Sequence, residues 1–222
     1  MKKVLVGILA MLMALSLAAC GQKTEADLVN DAMERFDSLE NGELAVTVTL
    51  SSEEGLIEGF DAVTEEALTF VRSGRQTDAV YRSETTMEGE TIVTEMKMQG
   101  GKVYSLVGGA WQEQGEAGGS FAPFGSRLKN GIAVVTTTEW STGTEYTFEM
   151  NEKALAELNK KAPEGQRVLE SSATYLVNPE GLLVSQRVTS RASVTVDGKS
   201  DVLFSETETT LTAWNQPDVT IE

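Results

Sequence analysis

The chain is 222 residues long, enough for one ordinary domain, and its 34 acidic against 18 basic residues leave a formal net charge of −16. So acidic a chain cannot neutralise a run of phosphates, which excludes nucleic acid as a partner, and it has no polybasic patch for anionic lipid. Histidine is absent, so imidazole-dependent catalytic triads and imidazole-bound metal centres are removed together, while 41% hydrophobic content supports a packed core.

At the N-terminus, Lys2 and Lys3 precede an apolar run over residues 4–17. This run is shorter than the roughly 20 residues a membrane span needs, and its flanks are those of a secretory signal peptide. Leu17-Ala18-Ala19-Cys20-Gly21 follows and resembles a bacterial lipobox. The resemblance implies that 1–19 are removed as a lipoprotein signal peptide and that Cys20 is the lipid attachment site. Cys20 is the only cysteine, so it has no internal disulfide partner in a compartment where disulfides form, and a thioether-linked lipid removes its free thiol. Two acyl chains anchor stably where one does not. The expected location is therefore the cell membrane, lipid-anchored on the extracytoplasmic face. Residues 20–24 form the lipidated tether, of which Gly21 to Thr24 spans about 14 Å extended.

Beyond the tether the periodicity is helical over 25–39, where Ala26, Val29, Met33, Phe36 and Leu39 form one stripe and Thr24 with Asp27 reads as an N-terminal cap. From Gly42 the period drops to two: Leu44, Val46, Val48 and Leu50 alternate with polar or small residues. Further strands are expected at 67–73, 77–86, 91–99, 102–107, 131–140, 145–150, 166–177, 182–196 and 201–214. Turn signals such as Glu88-Gly89, Gly100-Gly101 and Gly198 separate them. Residues 108–125 hold six glycines and read as a long loop running into a short helix near 121–128. Asn151 caps a clearer helix over 151–162, with Leu155 and Leu158 turned to the core and Pro163 beyond it.

About ten strands, each with one apolar face, and only two or three helices predict an α+β fold. It is a strongly curved antiparallel sheet, an open half-barrel, with an N-terminal helix and one or two inserted helices on its concave face. Residues 25–222 form a single half-barrel domain in this reading. The order of elements resembles bacterial lipoproteins with a LolA/LppX-like half-barrel. Gly101-Lys102-Val103-Tyr104, Gly109-Ala110-Trp111 and the ending Trp214-Asn215-Gln216-Pro217-Asp218-Val219-Thr220-Ile221 are its most suggestive local pieces. The resemblance implies a hollow that carries lipid or lipoprotein, and it transfers no ligand-site residue.

No catalytic constellation can be assembled, and no cofactor or metal site is expected. Ser126 and Lys129 have Ser-x-x-Lys spacing without the partner motif of penicillin-binding enzymes, and Asp197 and Asp201 around Gly198 read as a hairpin turn. Trp111, Trp140 and Trp214 read as core or sheet-edge aromatics. Met87, Met96 and Met98, with Ile92, suit either core filling or the lining of a lipid cavity, because methionine adapts to irregular apolar shapes. In 182–196 the even set Leu182, Val184, Val188, Ala192, Val194 and Val196 shares a side, interrupted by Gln186 and Ser190. The candidate ligand cavity is Met96, Met98, Ile92, Val184 and Val188. Two functions follow: a non-enzymatic binder or carrier of an apolar ligand, a lipid or acyl chain; or a cell-envelope interaction module with a filled core and a protein partner.

Overall fold

The computed structural model describes residues 23–56, 61–74, 76–117, 121–129, 131, 133–163, 165–196, 198–217, 219 and 221. Cys20 and the lipobox lie outside the described residues.

Helix α1 (Glu25–Asp37) begins as its sequence requires. The Thr24 hydroxyl accepts from the Asp27 N–H at 3.2 Å, and the Asp27 carboxylate accepts from the Thr24 N–H at 2.9 Å. This reciprocal pair satisfies two otherwise orphaned donors and places negative charge at the positive end of the helix dipole. The stripe Ala26, Val29, Ala32, Met33 and Phe36 is buried.

Among the described residues eleven strands form one open antiparallel sheet. They are β1 (Asn41–Ser52), β2 (Ala62–Ser73), β3 (Gln76–Met87), β4 (Glu90–Gln99), β5 (Lys102–Val107), β6 (Ala110–Glu116), β7 (Ala133–Trp140), β8 (Gly143–Met150), β9 (Gln166–Val177), β10 (Leu183–Val196) and β11 (Lys199–Trp214). Their spatial order is β6-β5-β4-β3-β2-β1-β11-β10-β9-β8-β7. Two meanders therefore meet where the first strand pairs with the last. The two edge strands, β6 and β7, are consecutive in sequence, so their connection has to travel from one edge of the sheet to the other. The half-barrel expected from the sequence is this sheet, with α1 seated on its concave face against β9 and β10.

Register fixes which side chains point inward. Leu44 lies opposite Leu68 on β2 and Leu211 on β11, Gly42 opposite Phe70, and Phe70 opposite Ala79. Leu44, Phe70, Ala79 and Leu211 are buried with Tyr146, Phe148, Tyr175, Leu182 and Leu183 around the α1 stripe. Phe36 meets Phe70 with ring centroids 5.5 Å apart and Phe124 edge-on at 4.8 Å. At the β7–β8 turn, Gly143 has φ 146°, and a Cβ there would fall 2.1 Å from the Val177 carbonyl oxygen, so only glycine fits.

Four expectations need correction. Strand β6 occupies 110–116, inside the expected glycine-rich loop. Gly108-Gly109 is a two-residue hairpin turn with φ of 61° and 81°, the same device as Gly100-Gly101 one strand earlier. No helix forms near 121–128; Pro123 lacks a donor, Gly125 sits at φ 76°, and the segment is an irregular strap. Strand β2 starts at Ala62, five residues before the apolar run, because its early part is held by backbone pairing with β1 and β3 and buries little. In α2 (Glu152–Asn159), capped by Asn151 as expected, Leu155 is half-buried and Leu158 exposed. This helix lies beside the part of β9 that β8 leaves unpaired, and Asn159 bonds both the N–H and the C=O of Val168, at 2.7 and 2.8 Å.

Candidate ligand cavity

Helix α1 and the strap cover one end of the hollow, α1 packed on β9 and β10 and the strap bonded to both helix and sheet. Asn30 is the clasp between helix and strap. Its side-chain oxygen accepts from the Leu128 N–H at 2.8 Å and its amide donates to the Leu128 carbonyl at 3.0 Å. Arg127 donates to the Asn30 carbonyl and, at 3.0 Å, to the Asp37 carboxylate. From the floor, Gln186 on β10 donates to the Phe124 carbonyl at 3.2 Å. That bond explains why a polar residue interrupts the apolar side of β10: it is buried because it serves the strap.

Two cavities result, of about 1040 and 420 Å³, with residues 124–127 as their common wall. Met33, Phe36, Arg72, Met98 and Phe121 line the larger. Leu128, Phe148, Ala173, Tyr175, Gln186 and Val188 line the smaller. These volumes lie in the range of sites for small ligands, roughly 300–1,000 Å³.

Arg72 is the charged group set deepest in the wall, its side chain 12% exposed. Its guanidinium donates to the Phe36 and Leu39 carbonyls at 2.7 and 3.2 Å, closing the negative end of α1. It also stands over the rings of Phe36, Phe70 and Phe121, at 5.0, 4.7 and 5.6 Å. Burial pulls its pKa below the ordinary value, and Asp37, 3.9 Å away, opposes that only weakly. Farther along the concave face the Tyr81 hydroxyl donates to Glu66 at 2.6 Å, and burial, reinforced by that carboxylate, pushes the phenol up.

The five expected cavity residues do not share one pocket. Met98 lines the larger cavity and Val188 the smaller. Met96 is half-buried on the same face of β4, opposite Tyr81. Val184 is half-buried against the core at the irregularity that opens β10. Ile92 shares the face of Met98 but is 62% exposed, at the end of the hollow that the helix does not reach. Met87 is exposed there too, Trp111 and Trp140 stand exposed on the two edge strands, and Trp214 packs against the core. Sequence reasoning missed Arg72, Phe121, Phe124, Phe148 and Tyr175, of which only the aromatics carried a signal. Among the described residues no cluster of acidic, cysteine or histidine side chains has metal-binding geometry.

No protein-family model and no curated protein matches the chain. Among solved structures it is similar to the mycobacterial lipoprotein LppX from Mycobacterium tuberculosis, with 15% identity over 89% of this chain and 97% of that one and a TM-score of 0.47. It is also similar to LprF from Mycobacterium bovis, with 14% identity over 89% and 95% and a TM-score of 0.44. A porin-like protein from Bacteroides uniformis overlaps less well, with 11% identity over 78% and 96% and a TM-score of 0.28. Overlaps this loose carry nothing about what this chain binds, which has to be read from its own residues.

Proposed function

We propose that the chain is a lipid-anchored envelope protein, non-enzymatic, whose covered hollow binds an apolar ligand such as an acyl chain. The supporting observation is the pair of cavities, the larger, about 1040 Å³, between α1, the strap and the β2–β3 and β4–β5 turns, and the smaller, about 420 Å³, between the strap and the floor of β8, β9 and β10. Both open to the surface, which gives a ligand a way in. The mechanism is burial: α1 and the strap form the roof, and the chain of the ligand lies on the floor of β8, β9 and β10. Anchoring through Cys20 rests on Leu17-Ala18-Ala19-Cys20 and would keep the hollow beside the membrane from which a ligand comes.

The test is native mass spectrometry of the exported chain with Cys20→Ser, purified without detergent. A mass excess that leaves on denaturation and fragments as a lipid is the expected result. Bare protein mass, persisting after incubation with excess lipid, would overturn the binding function. Metabolic labelling with an alkyne-bearing fatty acid tests the anchor, with label expected on the parent chain and none on Cys20→Ser.

A further inference from the structure

In the whole chain carboxylates outnumber cations by 34 to 18, whereas the walls of the two cavities reverse that ratio. Among the described residues their charged lining is Arg72, Arg127 and Lys129 against Asp37 alone. Asp37 is shared: one of its oxygens lies 3.9 Å from Arg72 and the other 3.0 Å from Arg127. An oxyanion of the chain itself thus already sits between two guanidiniums at the wall of the larger cavity, which shows the pair accommodates a carboxylate; with Glu34 counted the cluster is balanced, and the excess positive charge of the lining is that of Lys129 in the smaller cavity. Glu34 reaches only the outer one, Arg127, at 4.0 Å. A partly buried cation that faces a low-dielectric cavity attracts an anion more strongly than one in water does. Guanidinium also suits oxyanions by its planar fork of donors.

We infer that the ligand is an acidic amphiphile, its phosphate, sulfate or carboxylate seated at the Arg72–Arg127 pair and its chain in the apolar floor. This rests on the binding function proposed above and adds the chemical class of the headgroup. The geometry separates the two cations. Arg72 also closes α1, so its replacement would disturb the fold; Arg127 is half-exposed and can be changed. Asp37 is the chain's own competitor for the site.

The experiment is displacement of a fluorescent acyl reporter from the exported Cys20→Ser chain by two competitors with the same chain, mono-oleoylglycerol and its 3-phosphate. The phosphate is expected to bind about tenfold more tightly, equivalent to about 1.4 kcal/mol. Arg127→Gln should bring the ratio towards one, while Asp37→Asn, which removes the competing carboxylate and keeps its shape, should raise it. Opposite movements cannot come from a general loosening of the strap. Equal binding of both competitors by the parent chain would overturn the acidic headgroup and leave the apolar site standing. Failure of the reporter and both competitors to bind would overturn the two together. Displacement by inorganic phosphate as effective as by the oleoyl phosphate would assign the cations to a free anion and overturn the amphiphile.

Discussion

Leu44 and Leu50 stand on the same face of β1, yet the first is 2% exposed and the second 41%. Both face the hollow in the same alternating pattern. What separates them is the roof: Leu44 joins the cluster beneath α1 and the aromatic side chains, whereas Leu50, like Ile92 and Met87, lies where the hollow is open. Alternation within a strand therefore specifies a face, and burial of that face depends on an element distant in sequence. Beside Leu50, Ile92 and Met87 the open end carries Thr64, Thr85, Ser205 and Thr207 on the same face, so it is mixed rather than core.

The sharpest way to break that contrast is truncation. Leu44→Ala should cost about 2–5 kcal/mol, as other fully buried leucines do, and Leu50→Ala less than about 1 kcal/mol, both read from urea unfolding. Similar losses at the two sites would mean that the far end is packed as well. The strap gives the next effect. Asn30→Ala leaves both backbone groups of Leu128 without their partner and should cost about 1–3 kcal/mol locally. Amide exchange should speed up at 121–129 while β1 and β10 keep their protection, which separates roof from floor.

A third test concerns the open rim, where Asp201 pins the 53–56 turn. Its carboxylate accepts from the Ser52 hydroxyl and from the N–H groups of Glu54, Leu56 and Val202, with the Leu56 bond at 2.9 Å. These bonds, the Ser52 hydroxyl first, hold its pKa at about 2, below the ordinary 3.8. A depressed carboxyl stabilises fully above its unfolded value and loses that contribution as the pH falls. Protection of 53–56 should accordingly fade between about pH 4 and pH 2, and Asp201→Asn should remove most of that dependence. The smallest effect is expected at the β5–β6 edge. Glu113→Gln breaks the exposed 2.8 Å pair with Lys102 and should leave the urea unfolding midpoint indistinguishable from that of the parent chain.

The parts legible in sequence were those decided locally. Thr24 and Asp27 announce α1, Asn151 announces α2, and the period-two runs announce most strands, because caps and pleats act over a few residues. Strand β6 was hidden, since Gln112, Glu113 and Gln114 give no apolar alternation; the Gly108-Gly109 pair was the available signal. The site was legible only in part. Met98 and Val188 show as inward apolar positions, but whether they line space or fill it is set by how high α1 and the strap stand above them. Arg72 shares the alternation of Leu68 and Phe70, but a charged side chain gives no apolar signal there. Its burial depends on Phe36, Phe70 and Phe121, which span 85 positions of the chain and meet only in the fold.

The most direct test of the ligand site fills it. Val188→Trp places an indole in the smaller cavity, and affinity for a fluorescent acyl reporter is measured against the parent chain, with Leu50→Trp as the control on the open end. The account expects binding to fall at least tenfold in Val188→Trp, with an unchanged or higher Tm, and to persist in Leu50→Trp. Undiminished binding by a folded Val188→Trp chain would contradict it.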